Sequence, residues 1–402
     1  MKPMVGRINS FTMADSNRPL RRTGDSRPFS SKKNASKEEC YHKMKVLLTG
    51  AFGNIGSSTL SELVKRKHYV RCFDIKNKNN RKKAKKYRNN DQVEIVWGDI
   101  RNLEDVTKAV AGIDVVIHLA AIIPPLANQK PLFAEKINVD GTKNLLSAME
   151  QQPNQPKLIF GSSVAVYGDV RHKGTELIKV TDPYDPSPLD HYARMKIKCE
   201  KMIEKSTLDW VIFRFAAIPP IDLKTDPLMF EVPLDTPMEF CHTTDTGLAL
   251  AKAVDHPKVW GEIFHIGGGE ECRVPYKVYV TRLLESFGIG GLPAIAFSDK
   301  PFHCGYMDTT KSQGLLKYQR HTFDDLVEEM KNKSPFLRIL TIIFRPIVRL
   351  YLLRQSPYYR EYTKRKRAYI DYKSIRAQNL ETKRKEKKAT KTNVKDSSQT
   401  KN

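Results

Sequence analysis

The sequence predicts an α/β protein built on a doubly wound parallel sheet, with a small C-terminal substrate-binding part and a basic helical tail. Three observations predict it. From Lys45 onward, short apolar runs of strand length alternate with stretches of helical length. A glycine-rich turn, Gly50, Gly53 and Gly56, separates the first run from the first helix. Polar residues that could carry chemistry, among them Asp74, Asp99 and Ser163, follow strand ends, where parallel sheets bind their ligands.

The length of 402 residues allows two or three domains, or one large domain with appendages. Charge divides the chain. The net charge is +24. Residues 1–43 hold ten Lys/Arg and four Asp/Glu, residues 331–402 hold twenty-one and five, and 44–330 keeps only +2. Basicity therefore belongs to the ends, and a general nucleic-acid-binding domain is not implied. Residues 1–43 lack periodicity and read as a disordered basic extension. The folded part is expected over 44–330, with substrate-binding elements mainly from 215–330. The six cysteines (Cys40, Cys72, Cys199, Cys241, Cys272, Cys304) form no C-x-x-C pair and no metal-ligand cluster, so reduced structural thiols and no metal are expected. No apolar run has transmembrane length and no signal peptide is recognisable, so the expected location is cytoplasmic, peripheral at a membrane.

Strand Val46–Thr49 opens the alternation and a helix follows over about Asn54–Lys67. Between them the turn spanning Gly50, Phe52, Gly53, Asn54, Ile55 and Gly56 aims backbone N–H groups and the positive end of a helix dipole at one point. Missing side chains let a pyrophosphate approach, so a bound dinucleotide is expected. Strand Tyr69–Phe73 ends at Asp74, whose carboxylate suits the ribose hydroxyls and repels a 2′-phosphate, favouring NAD over NADP. Eight Lys/Arg in Lys76–Arg88 cut the other way, Lys76, Lys78 and Arg81 among them, although a solvated helix face explains them more simply. Strand Val93–Trp97, a helix near Leu103–Ala111, strand Val115–Leu119, a helix over Phe133–Met149 and the run Leu158–Phe160 continue the order.

Two constellations carry chemistry. Ser162-Ser163 closes the fifth strand, and Tyr192 and Lys196 stand one turn apart in a helix expected over Leu189–Glu204. A phenol ordinarily titrates near 10, and a neighbouring ammonium lowers that value toward a useful base.

With TGAFGNIG at 49–56, Asp74, GDI at 98–100, HLAA at 118–121, NVDGTKNLL at 138–146, SSVAVYG at 162–168 and YARMK at 192–196, the chain resembles an extended short-chain dehydrogenase/reductase of the NAD-dependent epimerase/dehydratase family. FCHTTD at 240–245 and EIFHIGG at 262–268 resemble its later segments, so the likeness covers roughly Lys45 to Phe323. It implies a Rossmann-type domain with NAD as cofactor. Tyr192 would be the acid/base. Lys196 would lower its pKa and hold the nicotinamide ribose, and Ser163 would hold the substrate oxygen. Asp99 and Ile100 would meet the adenine, Leu119, Ala120 and Ala121 would line the dinucleotide, and Asn138 would support the site.

The resemblance also narrows the reaction. Sugar 4,6-dehydratases carry an acidic pair where this chain has Val164 and Ala165, which disfavours dehydration. SSVAVYG resembles the 4-epimerases. Against a nucleotide sugar stand Ala216-Ala217 in place of an Asn-bearing segment, and a short stretch to Phe240 with Lys224 but no arginine. Hydride transfer at a secondary alcohol or ketone carbon is expected, with an epimerase or dehydrogenase of a sugar or sugar-derived substrate balanced against a dehydrogenase of a smaller or apolar hydroxy compound at a membrane. A non-catalytic NAD-binding sensor is the other class, and it has no need of Ser163, Tyr192 and Lys196 together. The family often pairs through the Tyr-bearing helix, so a homodimer is open.

Beyond the domain, Ser334-Pro335 is suited to start a helix. In FLRILTIIFRPIVRLYLLR, Arg338, Arg345 and Arg349 fall within about 40° on a helical wheel, apolar residues fill the rest, and Pro346 is placed to kink it. Tyr residues then interleave with Lys and Arg. A helix lying in an anionic membrane interface fits 334–402; docking on the enzyme, dimerisation and an acidic polymer such as RNA are the alternatives.

Overall fold

The computed structural model describes residues 43–221, 227–333 and 335–399. The expected disordered extension lies outside that range up to residue 42, as do Cys40, Lys224 and Ser334 with its proposed capping role.

The elements come in the anticipated order. They run β1 (Lys45–Thr49), α1 (Asn54–Lys65), β2 (Tyr69–Asp74), α2 (Lys78–Ala84), β3 (Val93–Trp97), α3 (Leu103–Val110) and β4 (Val115–His118). Short α4 (Leu126–Gln129) and α5 (Pro131–Glu135) follow. A π-helical stretch Lys136–Asp140 then leads into α6 (Gly141–Glu150), so the single helix expected over 133–149 carries one widened turn. Next stand β5 (Lys157–Ser163), α7 (His191–Glu204), β6 (Trp210–Phe215), β7 (Pro237–Glu239), α8 (Thr243–Ala253), β8 (Glu262–Ile266) and β9 (Arg273–Pro275). The chain closes with α9 (Tyr276–Ser286), α10 (Thr310–Leu316), α11 (Phe323–Asn332), α12 (Pro335–Ile343), α13 (Arg345–Gln355) and α14 (Pro357–Gln399).

Seven parallel strands form one sheet in the order β3-β2-β1-β4-β5-β6-β8, and β7 pairs antiparallel with β9 apart from it. The sheet is buried on both sides, which is why its strands read as unbroken apolar runs. Successive residues of β1 show this. Val46 and Leu48 join the layer holding Leu60 of α1 and Leu250 of α8, whereas Leu47 joins Val106 of α3, Leu145 of α6 and Ile203 of α7. The strand order reverses between β1 and β4, and the crevice at such a switch point is where a doubly wound sheet binds its ligand.

The tail helix, expected to kink at Pro346, is interrupted two residues earlier. It breaks at Phe344, so Pro346 sits in the first turn of a new helix, where its missing N–H costs nothing. Cys72, Cys199, Cys241, Cys272 and Cys304 are buried free thiols. Among the described residues no helix is long and apolar enough to cross a membrane.

Candidate active site

The glycine turn closes on itself. Gly50 has φ +67° and donates to the Phe73 carbonyl at 2.9 Å. A Cβ at Gly56 would stand 2.1 Å from the Gly50 oxygen, so no larger residue fits without moving the turn. Gly53 caps α1 with no side chain, leaving the first N–H groups of the helix for a ligand. Asp74 holds this turn as well as facing the cleft. Its carboxylate accepts from Phe52 N at 2.9 Å, Ile75 N at 2.8 Å and Asn80 Nδ2 at 2.9 Å. Burial raises its pKa against those hydrogen bonds and the Lys83 charge.

A cleft of about 360 Å³ opens here, lined by Gly50, Gly53, Asp74, Asp99, Ile100, Leu119, Ala120 and Ala121. Of the other residues expected at the cofactor, Phe52 is turned inward against Trp97, ring centroids 5.5 Å apart. Asn54 reaches across to the Ile218 carbonyl at 3.2 Å, Ile55 packs on the core, and Gly56 lies beneath the turn. These four shape the turn and do not line the cleft. Lys76, Lys78 and Arg81 do not line it either; Lys83 instead donates to the Phe52 carbonyl at 2.6 Å. Arg101, the basic residue that does line the cleft, is held by Asp99 at 2.5 Å. That pairing keeps the Asp99 carboxyl below its ordinary value.

The wall after β4 rests on a relay that the motif HLAA did not reveal. Thr142 donates to Asn138 O at 2.6 Å, so His118 donates through Nε2 to Thr142 Oγ1 at 3.1 Å and accepts at Nδ1 from Thr49 at 2.7 Å. Thr49 Oγ1 in turn accepts from Leu119 N and Ala120 N, each at 3.2 Å. Burial, with help from the Lys196 charge, pushes the His118 pKa down to about 3, so the ring is neutral. Asn138 is buried in the widened turn and pairs with the Ile122 backbone through both amide atoms, at 2.7 and 2.8 Å. It braces the loop after β4 from behind the cleft.

Ser163, Tyr192 and Lys196 come together where β5 meets α7. The Tyr192 side chain is 8% exposed and hydrogen-bonds Ser163. Burial pushes the phenol well above its ordinary value, and the Ser163 hydrogen bond offsets part of that. Lys196 Nζ lies 5.9 Å from the Tyr192 ring centroid and donates to the Gly161 carbonyl at 2.5 Å. Burial lowers its pKa. The lowering anticipated from this ammonium is not seen: burial sets the direction for the phenol, and Ser163 is the group that opposes it.

Helix α7 starts at His191, two residues later than expected, because Asp190 is its N-cap and accepts from Ala193 N at 3.0 Å. The other Asp190 oxygen is paired with His303, which stacks on Phe302 and lies 6.5 Å ring to ring from Tyr192. Burial works to raise the Asp190 carboxyl, but His303, Ala193 and Asn128 outweigh it and hold it below the ordinary range. Asp190, Asn128 and His303 line a second cavity of about 400 Å³. Sequence reasoning missed all three. Asp190 was legible as a cap before YARMK; His303, 113 residues away, carried no signal.

His242, Asp245 and His321 also converge, but Asp245 already accepts from Arg320 Nε at 3.0 Å and His321 Nδ1 at 2.8 Å, which accounts for its charge without a metal.

A glycine turn free of side chains and Asp74 on one cleft, with Ser163, Tyr192 and Lys196 gathered where β5 meets α7, form a set of residues that fits NAD. Residues 46–220 match the profile of the NAD dependent epimerase/dehydratase family, and that segment carries the likeness expected from the motifs. The human sterol-4-alpha-carboxylate 3-dehydrogenase, decarboxylating, is 26% identical over 257 residues, which is 58% of this chain and 64% of that one. An N-acetyl-alpha-D-glucosaminyl-diphospho-ditrans,octacis-undecaprenol 4-epimerase of Escherichia coli O157:H7 is 33% identical over 160 residues, covering 40% of this chain and 43% of that protein. The solved UDP-glucose 4-epimerase of Thermus thermophilus, in complex with NAD, superposes with a TM-score of 0.56 at 21% identity over 72% of this chain and all of its own; that likeness is one of fold.

Proposed function

We propose that the chain is an NAD-dependent dehydrogenase acting at a secondary hydroxyl or ketone carbon of a largely apolar, lipid-like molecule. The observation that carries this reading is a cavity of about 260 Å³ walled by Ile218, Pro219, Met229, Val232, Tyr279 and Phe287. Leu228 and Phe302 belong both to it and to the cavity at Asp190 and His303, so the two adjoin. No arginine is among the described residues lining either cavity, and a nucleoside diphosphate would want one. The names of the relatives point the same way: a sterol carboxylate, a hydroxysteroid in the Mycolicibacterium neoaurum relative, and a polyprenol-linked sugar.

In this reading Ser163 holds the substrate oxygen and Tyr192 takes its proton. Lys196 favours the phenolate form and binds the nicotinamide ribose, and Asp74 at the adenosine ribose selects NAD over NADP. The nicotinamide, when bound, accepts the hydride from the same carbon. The chain's part is placement: β5 and α7 bring the three side chains together, with the Tyr192 ring 6.5 Å from that of His303 on the neighbouring cavity.

A second reading, a sugar 4-epimerase, is favoured by the polar groups that Asn128, Asp190 and Lys300 bring to the 400 Å³ cavity. Absorbance at 340 nm separates the two. Net NADH is expected from NAD with a polycyclic or prenyl secondary alcohol and not with UDP-hexoses. Interconversion of UDP-hexose epimers without net NADH would overturn the dehydrogenase reading.

A further inference from the structure

The arginine stripe of the tail faces the enzyme. Arg338 Nε donates to Ser286 O at 3.1 Å, Arg345 Nε to Ile289 O at 2.9 Å, and Arg349 Nη1 to Ile289 O and Gly290 O at 3.0 and 3.1 Å. These carbonyls lie at and just beyond the C-terminus of α9, the negative end of a helix, so cations there are doubly satisfied. Gly288 and Gly290, both at positive φ, leave room for the approach: a Cβ on Gly290 would stand 2.1 Å from Arg345 Nη2.

With its cations turned inward, the two-helix unit presents its apolar side outward. Phe336 is 70% exposed, Ile343 63% and Ile347 66%, and Ile339, Phe344 and Tyr351 are exposed beside them. An apolar patch of this continuity is costly in water. Helices of nine and eleven residues are too short to span a bilayer but suit its interface. The charge around the patch selects the partner. Residues 331–402 carry +16, so a second copy seated on the same face would set two strongly basic tails side by side, whereas an anionic surface neutralises them. Tyr358 and Ser356 fix the start of α14 to Glu231 and to the Ala296 carbonyl, which holds the basic helix next to the patch.

We propose that α12 and α13 seat the protein in the surface of an anionic lipid bilayer, apolar side down, with the basic start of α14 on the headgroups. Under the seat lies a cavity of about 220 Å³ sharing Phe287 and Met330 with the apolar cavity beside the active site. A lipid-borne substrate would thus meet the enzyme on the side where that cavity opens; this consequence, unlike the seating, rests on the dehydrogenase reading.

The test is co-sedimentation of the full chain with vesicles of phosphatidylcholine, with and without phosphatidylserine, alongside the double variant Ile343→Glu/Ile347→Glu. The parent is expected to bind the anionic vesicles, and the double variant to bind at least about tenfold more weakly while keeping NADH binding and melting temperature, since both side chains are solvent-facing. Added salt weakens the parent's binding. Equal binding by the double variant would assign attachment to the Lys-rich tail alone and overturn the seat. So would a parent that ignores vesicles and forms a dimer that the double variant dissolves. No arm needs a substrate, so failure of the dehydrogenase reading leaves the test intact.

Discussion

Tyr192 is the residue on which the proposed chemistry turns, and its surroundings set its requirements. Burial raises the pKa of the phenol, the Ser163 hydrogen bond opposes that rise, and Lys196 stands one turn below it, tied to the Gly161 carbonyl. Tyr192→Phe removes one oxygen and leaves the cleft at Asp74 untouched. Turnover is expected to fall by at least about a thousandfold with NADH affinity, read by fluorescence titration, unchanged. Two other buried residues set a pH limit on the fold. His118 is pushed down to about 3, and His265 to about 4 by burial and the Arg214 charge. In the unfolded chain both take a proton near pH 6.5. Their folded pKa values lie below the unfolded one, so the stability they contribute is full above pH 6.5 and is lost as pH falls toward 4 and then 3. Urea midpoints are expected to drop across that window, with a limiting slope of about 1.4 kcal/mol per pH unit for each histidine. His265→Asn should flatten the part above pH 4.

At the scale of elements, α7 is fastened to the sheet by an ion pair that no motif announces. Glu200, one turn beyond Lys196, accepts from Arg214 Nη2 of β6 at 2.7 Å, from Tyr184 at 2.9 Å and from Ser162. Arg214 also donates to Tyr167, which donates to the neutral His265 at 2.7 Å. The pair is almost fully buried, so breaking one partner strands a charge. Glu200→Ala is expected to cost about 3–5 kcal/mol in urea unfolding, with Glu200→Gln milder because it keeps an acceptor for Ser162 and Tyr184. The turn into α1 makes a separate demand. Gly56→Ala forces a methyl group against the Gly50 carbonyl, and NADH affinity is expected to weaken at least about tenfold in the same titration.

For the molecule as a whole, the tail is clipped to the domain by arginines at the end of α9 and by Leu352, which is buried in the core. Arg345→Ala with Arg349→Ala removes the clip on a partly exposed surface, where each hydrogen bond contributes about 1 kcal/mol. Hydrogen exchange of residues 335–355 should speed up several-fold while β1, β4 and β5 keep their protection. Unchanged exchange in the tail would mean that Leu352 and its neighbours hold it unaided.

Much of this was legible in the chain, because much of it is local. The parallel sheet follows from unbroken apolar runs such as Val46–Leu48, the side-chain-free turn from three glycines, and the Tyr–Lys pair from helical spacing; each depends on residues a few positions apart. The arginine stripe was equally plain, being a matter of helical period. What no local pattern contains is which surface meets which. His303 reaches Asp190 across 113 residues, Glu200 finds Arg214 across a helix and a strand, and His118 links Thr49 to Thr142. The direction of the tail was undetermined for the same reason. An amphipathic helix has two faces, and only the packed carbonyls at the end of α9 decided that the arginines turn inward and the isoleucines out. Sequence thus determined the elements and the glycine turn at the switch point, since backbone geometry and periodicity are properties of neighbours. Tertiary structure decided the second cavity, the buried ion pair and the outward face, since burial and pairing exist only once distant segments have been brought together.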